Sequence, residues 1–238
     1  MSKKHLSQIF LVDENIKKKI MNDMDIKKND IIVEIGPGYG SISKHLSFTS
    51  AKLILIEIDH SIIHPLENKL LNGKEIKIYN DNILKFDFTN IIVKNKKIRL
   101  VGNIPYKIST KLMLHLSDIK KYIEDIHFLI QEEVSEKFTY NNKVYKTYTS
   151  MLIQYHFNIE KKFKVHANSF FPKPAVNSSF IKMTPKNNSK KALNYKYFKN
   201  TLNNIFKNKK QTLSKIIKNA CSYRKYINLE VKGFEMNL

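Results

Sequence analysis

Between residues 30 and 137, short apolar runs alternate with longer amphipathic ones, and this alternation constrains the fold more than any other feature. The runs "DIIVEIG", "AKLILIEID", "KEIKIYND", "KKIRLVGN" and "DIHFLIQ" read as five strands. "SISKHL", "HSIIHPLENKLL", "STKLMLHLS" and "EEVSEKF" read as helices between and after them. Strands alternating with helices imply a mostly parallel sheet covered on both faces. Ahead of this unit, "VDENIKKKIMNDM" predicts a helix capped by Asp13, with Ile16, Ile20 and Met24 at helical spacing. Pro65 fits only an early helical turn, because proline has no N–H to donate. Beyond the unit, "TYTSMLIQYHF" predicts a helix, and "IEKKFKVH" and "NSSFIKMT" predict two more strands.

The 238 residues suffice for one α/β domain and a small appendage, and 42% hydrophobic content supports a packed core. No apolar run reaches the ~20 residues of a membrane span, and the N-terminus lacks a signal-type apolar stretch. Cys221 is the single cysteine, which excludes an intrachain disulfide and a cysteine-based zinc site. These features lead us to expect a cytoplasmic protein with no metal and no membrane contact, acting as a monomer.

The net charge is +21. Such a field attracts polyanions and suits nucleic acid. Part of it reflects composition, since Arg99 and Arg224 are the only arginines and Lys, Asn and Ile abound, as in AT-rich genomes. That bias does not account for the shortage of acids from Lys186 onward, where 13 Lys or Arg face only Glu230 and Glu235. "PKNNSKKALN" shifts to Pro, Asn, Ser and Lys, and we place a domain boundary there. "YKYFKNTLNNIFKN" and "KKQTLSKIIKNA" read as two basic amphipathic helices. The division expected is 1–184 for the α/β domain and 185–238 for a small basic helical unit that docks RNA.

"EIGPGYG" places Gly36, Gly38 and Gly40 after a strand and before a helix, the usual nucleotide-binding turn of an α/β sheet. Alone it can be only a turn. Its G-x-G-x-G spacing departs from the dinucleotide fingerprint, and it lacks the lysine of a phosphate-cradling loop. Glu57 ends the next strand, where a carboxylate can accept from two ribose hydroxyls. Asp81 ends the third strand and can accept from an adenine amino group. Either acid alone reads more readily as a solvated loop residue; together with the glycine turn they suit a ligand with a ribose and no phosphate, such as S-adenosylmethionine.

"NIPY", Asn103 to Tyr106, follows the fourth strand at the same edge. An adenine amine is a poor nucleophile because its lone pair is delocalised into the ring. Two acceptors, the Asn103 side-chain oxygen and the Ile104 carbonyl, would take both amine protons and favour localisation on nitrogen. Pro105 stiffens the turn and Tyr106 offers a stacking face. The plain alternative is a strand–helix turn with Asn103 as the helix cap.

Together "NIPYKIST", "VEIGPGYG", "SQIFLVD", "HFLIQEEV" and "SFFPKPAVNSS" resemble the rRNA adenine N6-dimethyltransferases, and in particular their KsgA type. The resemblance covers roughly residues 3–184. It implies a Rossmann-like class I methyltransferase sheet with a basic C-terminal helical domain, and S-adenosyl-L-methionine as donor. It also implies dimethylation of two adjacent adenines near the 3′ end of small-subunit rRNA in an immature 30S particle. By this resemblance Leu11, Gly36, Glu57, Asp81 and Asn103 map onto donor-contacting positions. Asn103, Ile104, Pro105 and Tyr106 map onto the catalytic segment, and Phe170 onto an aromatic that sandwiches the target base opposite Tyr106. The sequence departs from the family at Ile9, where Asn is usual; isoleucine cannot make the polar side-chain contact, and Ile9 is left out of the site. Its C-terminal region is also shorter than usual. Two other readings stand beside this one: an Erm-type enzyme acting on large-subunit rRNA, and a non-catalytic RNA-binding assembly factor on the same fold. A DNA adenine methyltransferase fits less well, since no target-recognition domain is evident.

Overall fold

A computed structural model describes residues 9–49, 51–70, 75–139, 147–187, 192 and 194–207. The strands are β1 (Phe10–Leu11), β2 (Ile31–Ile35), β3 (Lys52–Glu57), β4 (Ile76–Asn80), β5 (Ile98–Asn103), β6 (Ile123–Gln131), β7 (Phe157–Val165), β8 (Phe170–Phe171) and β9 (Ser178–Pro185). The α-helices are α1 (Glu14–Met24), α2 (Ser43–Ser47), α3 (His60–Leu70), α4 (Ser109–Asp118), α5 (Glu132–Phe138), α6 (Tyr148–His156) and α7 (Tyr195–Lys207).

Seven strands form one sheet in the order β4-β3-β2-β5-β6-β9-β7. β4, β3, β2, β5 and β6 are parallel, and β9 runs antiparallel to both of its neighbours. The expected parallel sheet with helices on both faces is present. The order reverses between β2 and β5, the point at which an open α/β sheet leaves a crevice beyond its strand ends.

The alternation of side chains along each strand divides the core in two. Ile31, Val33 and Ile35 of β2, Ile54 and Ile56 of β3, and Ile98 and Leu100 of β5 face one cluster, shared with Leu112 and Leu116 of α4 and Ile153 of α6. Ile32, Leu53, Leu55 and Val101 face the other, shared with Ile20 of α1, Leu46 of α2 and Ile62 and Leu66 of α3. Glu34, Glu57 and Asn103 have the parity of this second set. The strand periodicity therefore aims all three at the α1–α3 side, at the C-terminal edge of the sheet.

Asp13 caps α1 as expected, accepting from the backbone N–H groups of Asn15 and Ile16. Its other oxygen accepts from the Ser169 hydroxyl at 2.9 Å, which ties the cap to the segment before β8. Pro65 lies in the second turn of α3, deeper than the early-turn position expected. It forfeits the bond to the carbonyl four residues back. The burial of Ile62, Leu66 and Leu70 along one stripe holds the helix through that position.

At the opposite sheet edge, Arg99 grips Asp125 through Nε and Nη2, both at 2.8 Å, and Asp30 through Nη1 at 2.7 Å. Nη2 also donates to the Met24 carbonyl at the end of α1. Burial opposes ionisation of Asp125, yet the Arg99 and His127 contacts hold its carboxyl well below the usual range. This fork pins α1 to the base of β5 and β6, so α1 is fixed at both ends.

α7 packs on α6 through rings: Tyr155 and Phe198 lie 4.6 Å apart and Tyr155 and Tyr195 5.9 Å. The Tyr195 hydroxyl lies 2.7 Å from His156 Nε2. Burial pushes His156 down to about 4 and Tyr195 up to about 12, so at neutral pH a neutral imidazole faces a protonated phenol. The second basic helix expected, with Lys209 and Lys210, lies outside the described residues.

Candidate active site

The first wall is the turn after β2. Gly36 has φ +65°, a left-handed backbone that L side chains rarely adopt. A Cβ at Gly36 would meet nothing within 4 Å, so the turn borders open space. Its N–H donates to the Ile56 carbonyl at 2.9 Å, which locks the turn to the end of β3.

Glu57, buried at that strand end, accepts from the Gly38 N–H at 3.1 Å through one oxygen and from the Asp59 N–H at 2.9 Å through the other. Each oxygen keeps acceptor capacity beyond these bonds. Asp81 follows β4 beside it, with its N–H donating to the Glu57 carbonyl at 2.9 Å. Asp81 is exposed, and one of its oxygens accepts from the Asn82 N–H at 2.6 Å. Glu34 lies beneath the turn, and Ser43 Oγ donates to its carboxyl at 2.5 Å. Burial, with Glu57 adding repulsion, pushes the Glu34 carboxyl up to about 7.

Asn103 ends β5, across the crevice from these acids. Its Nδ2 donates to the Ile9 carbonyl at 2.6 Å, which turns Oδ1 away from that contact. The cap of α4 is Ile108, so the alternative of Asn103 as a helix cap does not hold. Ile104 is buried, and its N–H donates to the Leu129 carbonyl at 3.0 Å. Pro105 is exposed, and its carbonyl accepts from Ile108 in the turn that opens α4. Tyr106 is half-buried, with its hydroxyl 3.1 Å from Ser178 Oγ at the start of β9.

Leu11 and Phe170 are opposed in the two-stranded ribbon β1–β8, and both side chains enter the core. Phe170 is only 4% exposed, whereas its neighbour Phe171 is 69% exposed. Alternation puts Phe10 and Phe171 on the outer face of the ribbon.

Two contributors escaped the sequence reading. Ile9, set aside for its side chain, holds Asn103 through its backbone carbonyl, a role open to any residue type. Gly102 lets β5 approach β2: a Cβ there would stand 2.5 Å from the Ile35 carbonyl oxygen. The glycine in "VGNIPY" was the available signal, because a glycine inside a strand often marks close approach of another backbone.

The sheet order, the glycine turn at the topological switch and an acid at the next strand end define a Rossmann-like methyltransferase. Comparison with known proteins narrows this. The chain belongs to the ribosomal RNA adenine dimethylase family, whose profile matches residues 1–234. It is 36% identical over 227 residues to ribosomal RNA small subunit methyltransferase A of Francisella tularensis, covering 94% of this chain and 86% of the relative. Its fold matches a dimethyladenosine transferase from Plasmodium falciparum at a TM-score of 0.76, with 26% identity over 93% of this chain and 84% of that one. The 23S rRNA methyltransferase ErmE superposes with a TM-score of 0.72 at 20% identity, over 88% and 84% of the two chains, a likeness of fold.

Proposed function

We propose that the protein dimethylates the N6 amines of two adjacent adenines near the 3′ end of small-subunit rRNA, in an immature 30S particle, with S-adenosyl-L-methionine as donor. The observation that carries this reading is the Asn103–Ile9 bond. With Nδ2 committed to a main-chain carbonyl, Oδ1 is the atom left to accept from an incoming amine.

The residues present fit the donor. Open space borders Gly36, and the buried Glu57 carboxylate has acceptor capacity for ribose hydroxyls. Asp81 offers its second oxygen to an adenine amino group. Leu11, whose side chain is in the core, would contribute through its main chain. When bound, the donor supplies an electrophilic methyl carbon on a sulfonium.

On the acceptor side, Tyr106 stacks on the target base, with its ring positioned by the Ser178 contact. Phe170 is the opposite wall on the core side of the slot. Asn103 Oδ1 and the Ile104 carbonyl accept the two amine N–H bonds and favour a localised lone pair on nitrogen. Pro105 limits the motion of the carbonyl before it. The polar groups are set before the base arrives, so catalysis is by position and electrostatics without a strong general base. Transfer leaves the donor as its neutral thioether and the amine as a cation, which sheds one proton to solvent. The N6-methylamine then keeps one N–H and its lone pair, so one of the two acceptors holds that N–H during the second transfer.

The small-subunit relative at 36% identity favours this substrate over the large-subunit alternative. The retained Glu57, Asp81, Asn103 and Tyr106 favour catalysis over binding alone. The division at 184/185, with the basic C-terminal unit docking RNA, belongs to the same reading.

The test is primer extension on rRNA from cells with and without the gene. Dimethylation blocks the Watson–Crick edge, so a stop two adenines wide near the small-subunit 3′ end is expected. A stop in large-subunit rRNA, or none, overturns the assignment.

A further inference from the structure

Among the described residues, seven large hydrophobic side chains are exposed, and Val12, Tyr39, Phe171 and Val176 of these lie in the segments that border the site. Clustered apolar exposure beside a functional crevice marks an interaction surface.

Three rings organise this surface. Phe10 and Phe171 are direct partners across the β1–β8 ribbon, and directly opposed side chains share a face. Phe10 also meets Tyr39, with centroids 5.2 Å apart and planes tilted by 53°. Tyr39 is half exposed and Phe171 more so. Phe10 is thus the inner ring, with an outward-facing ring on either side.

The surface is continuous with the acceptor site. Ile9, the residue before Phe10, carries the carbonyl that holds Asn103. The chain that leaves Phe171 runs on to Ser178, the partner of Tyr106. Two cations flank it: Lys173 is exposed within "FFPKPAVNS", a stretch without an acid, and Lys69 Nζ donates to the Tyr39 carbonyl at 2.6 Å, while the nearby Asp13 carboxylate is engaged by Ser169 and the α1 N-terminus. Exposed aromatic faces rimmed by lysines suit unpaired bases on a phosphate backbone, because every base has a π-face and the phosphates need cations.

We propose that the outer face of the ribbon, Phe171 with Phe10 and Tyr39, is a second stacking platform. It holds an unpaired nucleotide that flanks the target adenine, separately from the slot at Tyr106. The proposal rests on the RNA-adenine reading above. A target base taken out of its stack leaves its neighbour with one exposed face, and the platform replaces the lost contact.

The experiment is a double-mutant cycle. Wild type and Phe171→Ala are titrated with an RNA fragment carrying the target adenine, its flanking nucleotide either intact or abasic. We expect the abasic site to weaken wild-type binding by ~10-fold, the scale of one stacked base. Phe171→Ala should weaken binding of intact RNA by a similar factor, and the abasic site should cost that variant less than 2-fold more. Phe171→Tyr should restore wild-type affinity and Phe171→Leu should not, since leucine keeps the apolar bulk without a π-face. Independent, additive losses, or full rescue by leucine, overturn the platform. So does a parallel loss of S-adenosylmethionine affinity by calorimetry, which would assign the rings to the donor. Failure of the parent reading is scored separately, as wild type that transfers no methyl group to any rRNA.

Discussion

Asn103 Nδ2 and the Ile9 carbonyl, 94 residues apart in sequence, lie 2.6 Å apart in the fold. This one bond orients the amide and links the turn after β5 to the β1–β8 ribbon. Asn103→Ala removes the proposed acceptor, Oδ1, and leaves the Tyr106 ring and the basic surface in place. Methyl transfer should fall by ~10²-fold or more, the scale seen when one preorganised polar group is lost. RNA affinity should stay near normal. Labelled methyl transfer to immature small subunits, beside a binding titration, checks both. An Asn103→Ala enzyme as fast as wild type would sink the acceptor pair.

Glu57→Gln keeps one acceptor oxygen and loses the charge proposed to face the ribose. Donor binding should weaken by ~1.5–3 kcal/mol, the range for hydrogen bonds to a charged group. Glu57→Ala should weaken it at least as much, because the Gly38 and Asp59 N–H groups also lose their acceptor. Calorimetry with S-adenosylmethionine measures both, and unchanged affinity in folded protein would place the ribose elsewhere.

Gly102→Ala tests the close approach of β5 to β2. The added methyl would lie 2.5 Å from the Ile35 carbonyl oxygen, which is backbone and cannot rotate away. The strand ends must part at the point where Gly36 and Asn103 face each other. Stability should drop by ~1–3 kcal/mol, as for overpacking elsewhere, and donor affinity should fall with it. Urea titration and calorimetry on one preparation test the pair; an unperturbed variant would refute the close approach.

Glu34 gives stability a pH slope of predictable sign. Its folded carboxyl titrates at about 7, against an ordinary value of 4.5. The folded state therefore binds more protons than the unfolded chain between those values, and stability falls as pH rises through that window. The cost is absent below pH ~4.5 and reaches about 3 kcal/mol above pH ~7. Glu34→Gln has no charge to bury, so its stability relative to wild type should climb from pH 4.5 to 7 and then level off. Urea unfolding at several pH values reads the difference; a difference independent of pH would mean that Glu34 stays ionised.

Lys207 ends α7 on an exposed face. Charge reversal of Lys207, Lys209 and Lys210 should weaken RNA binding and flatten its salt dependence by up to about one unit of log–log slope per phosphate contact. Donor binding should not change. An unaltered slope would assign these lysines to composition alone.

The sequence by itself determined what short-range chemistry determines. Short, nearly continuous apolar runs located every central strand, because a strand covered on both faces must be apolar on both. Asp13 declared its helix because a cap needs only the next three residues. Gly36, Glu57, Asp81 and Asn103 were legible together because each sits at a strand end, and parallel strands bring those ends to one edge. The tertiary structure alone decided what depends on residues distant in sequence. Two-residue strands show no periodicity, so the β1–β8 pairing became visible only in the fold, and with it which of Phe170 and Phe171 faces the core. The Ile9 carbonyl carries no side-chain signature. The 2.5 Å margin at Gly102 and the contact of Tyr106 with Ser178 follow from strand order and register. Those are set by how whole faces pack against each other, and no short stretch of chain contains that information.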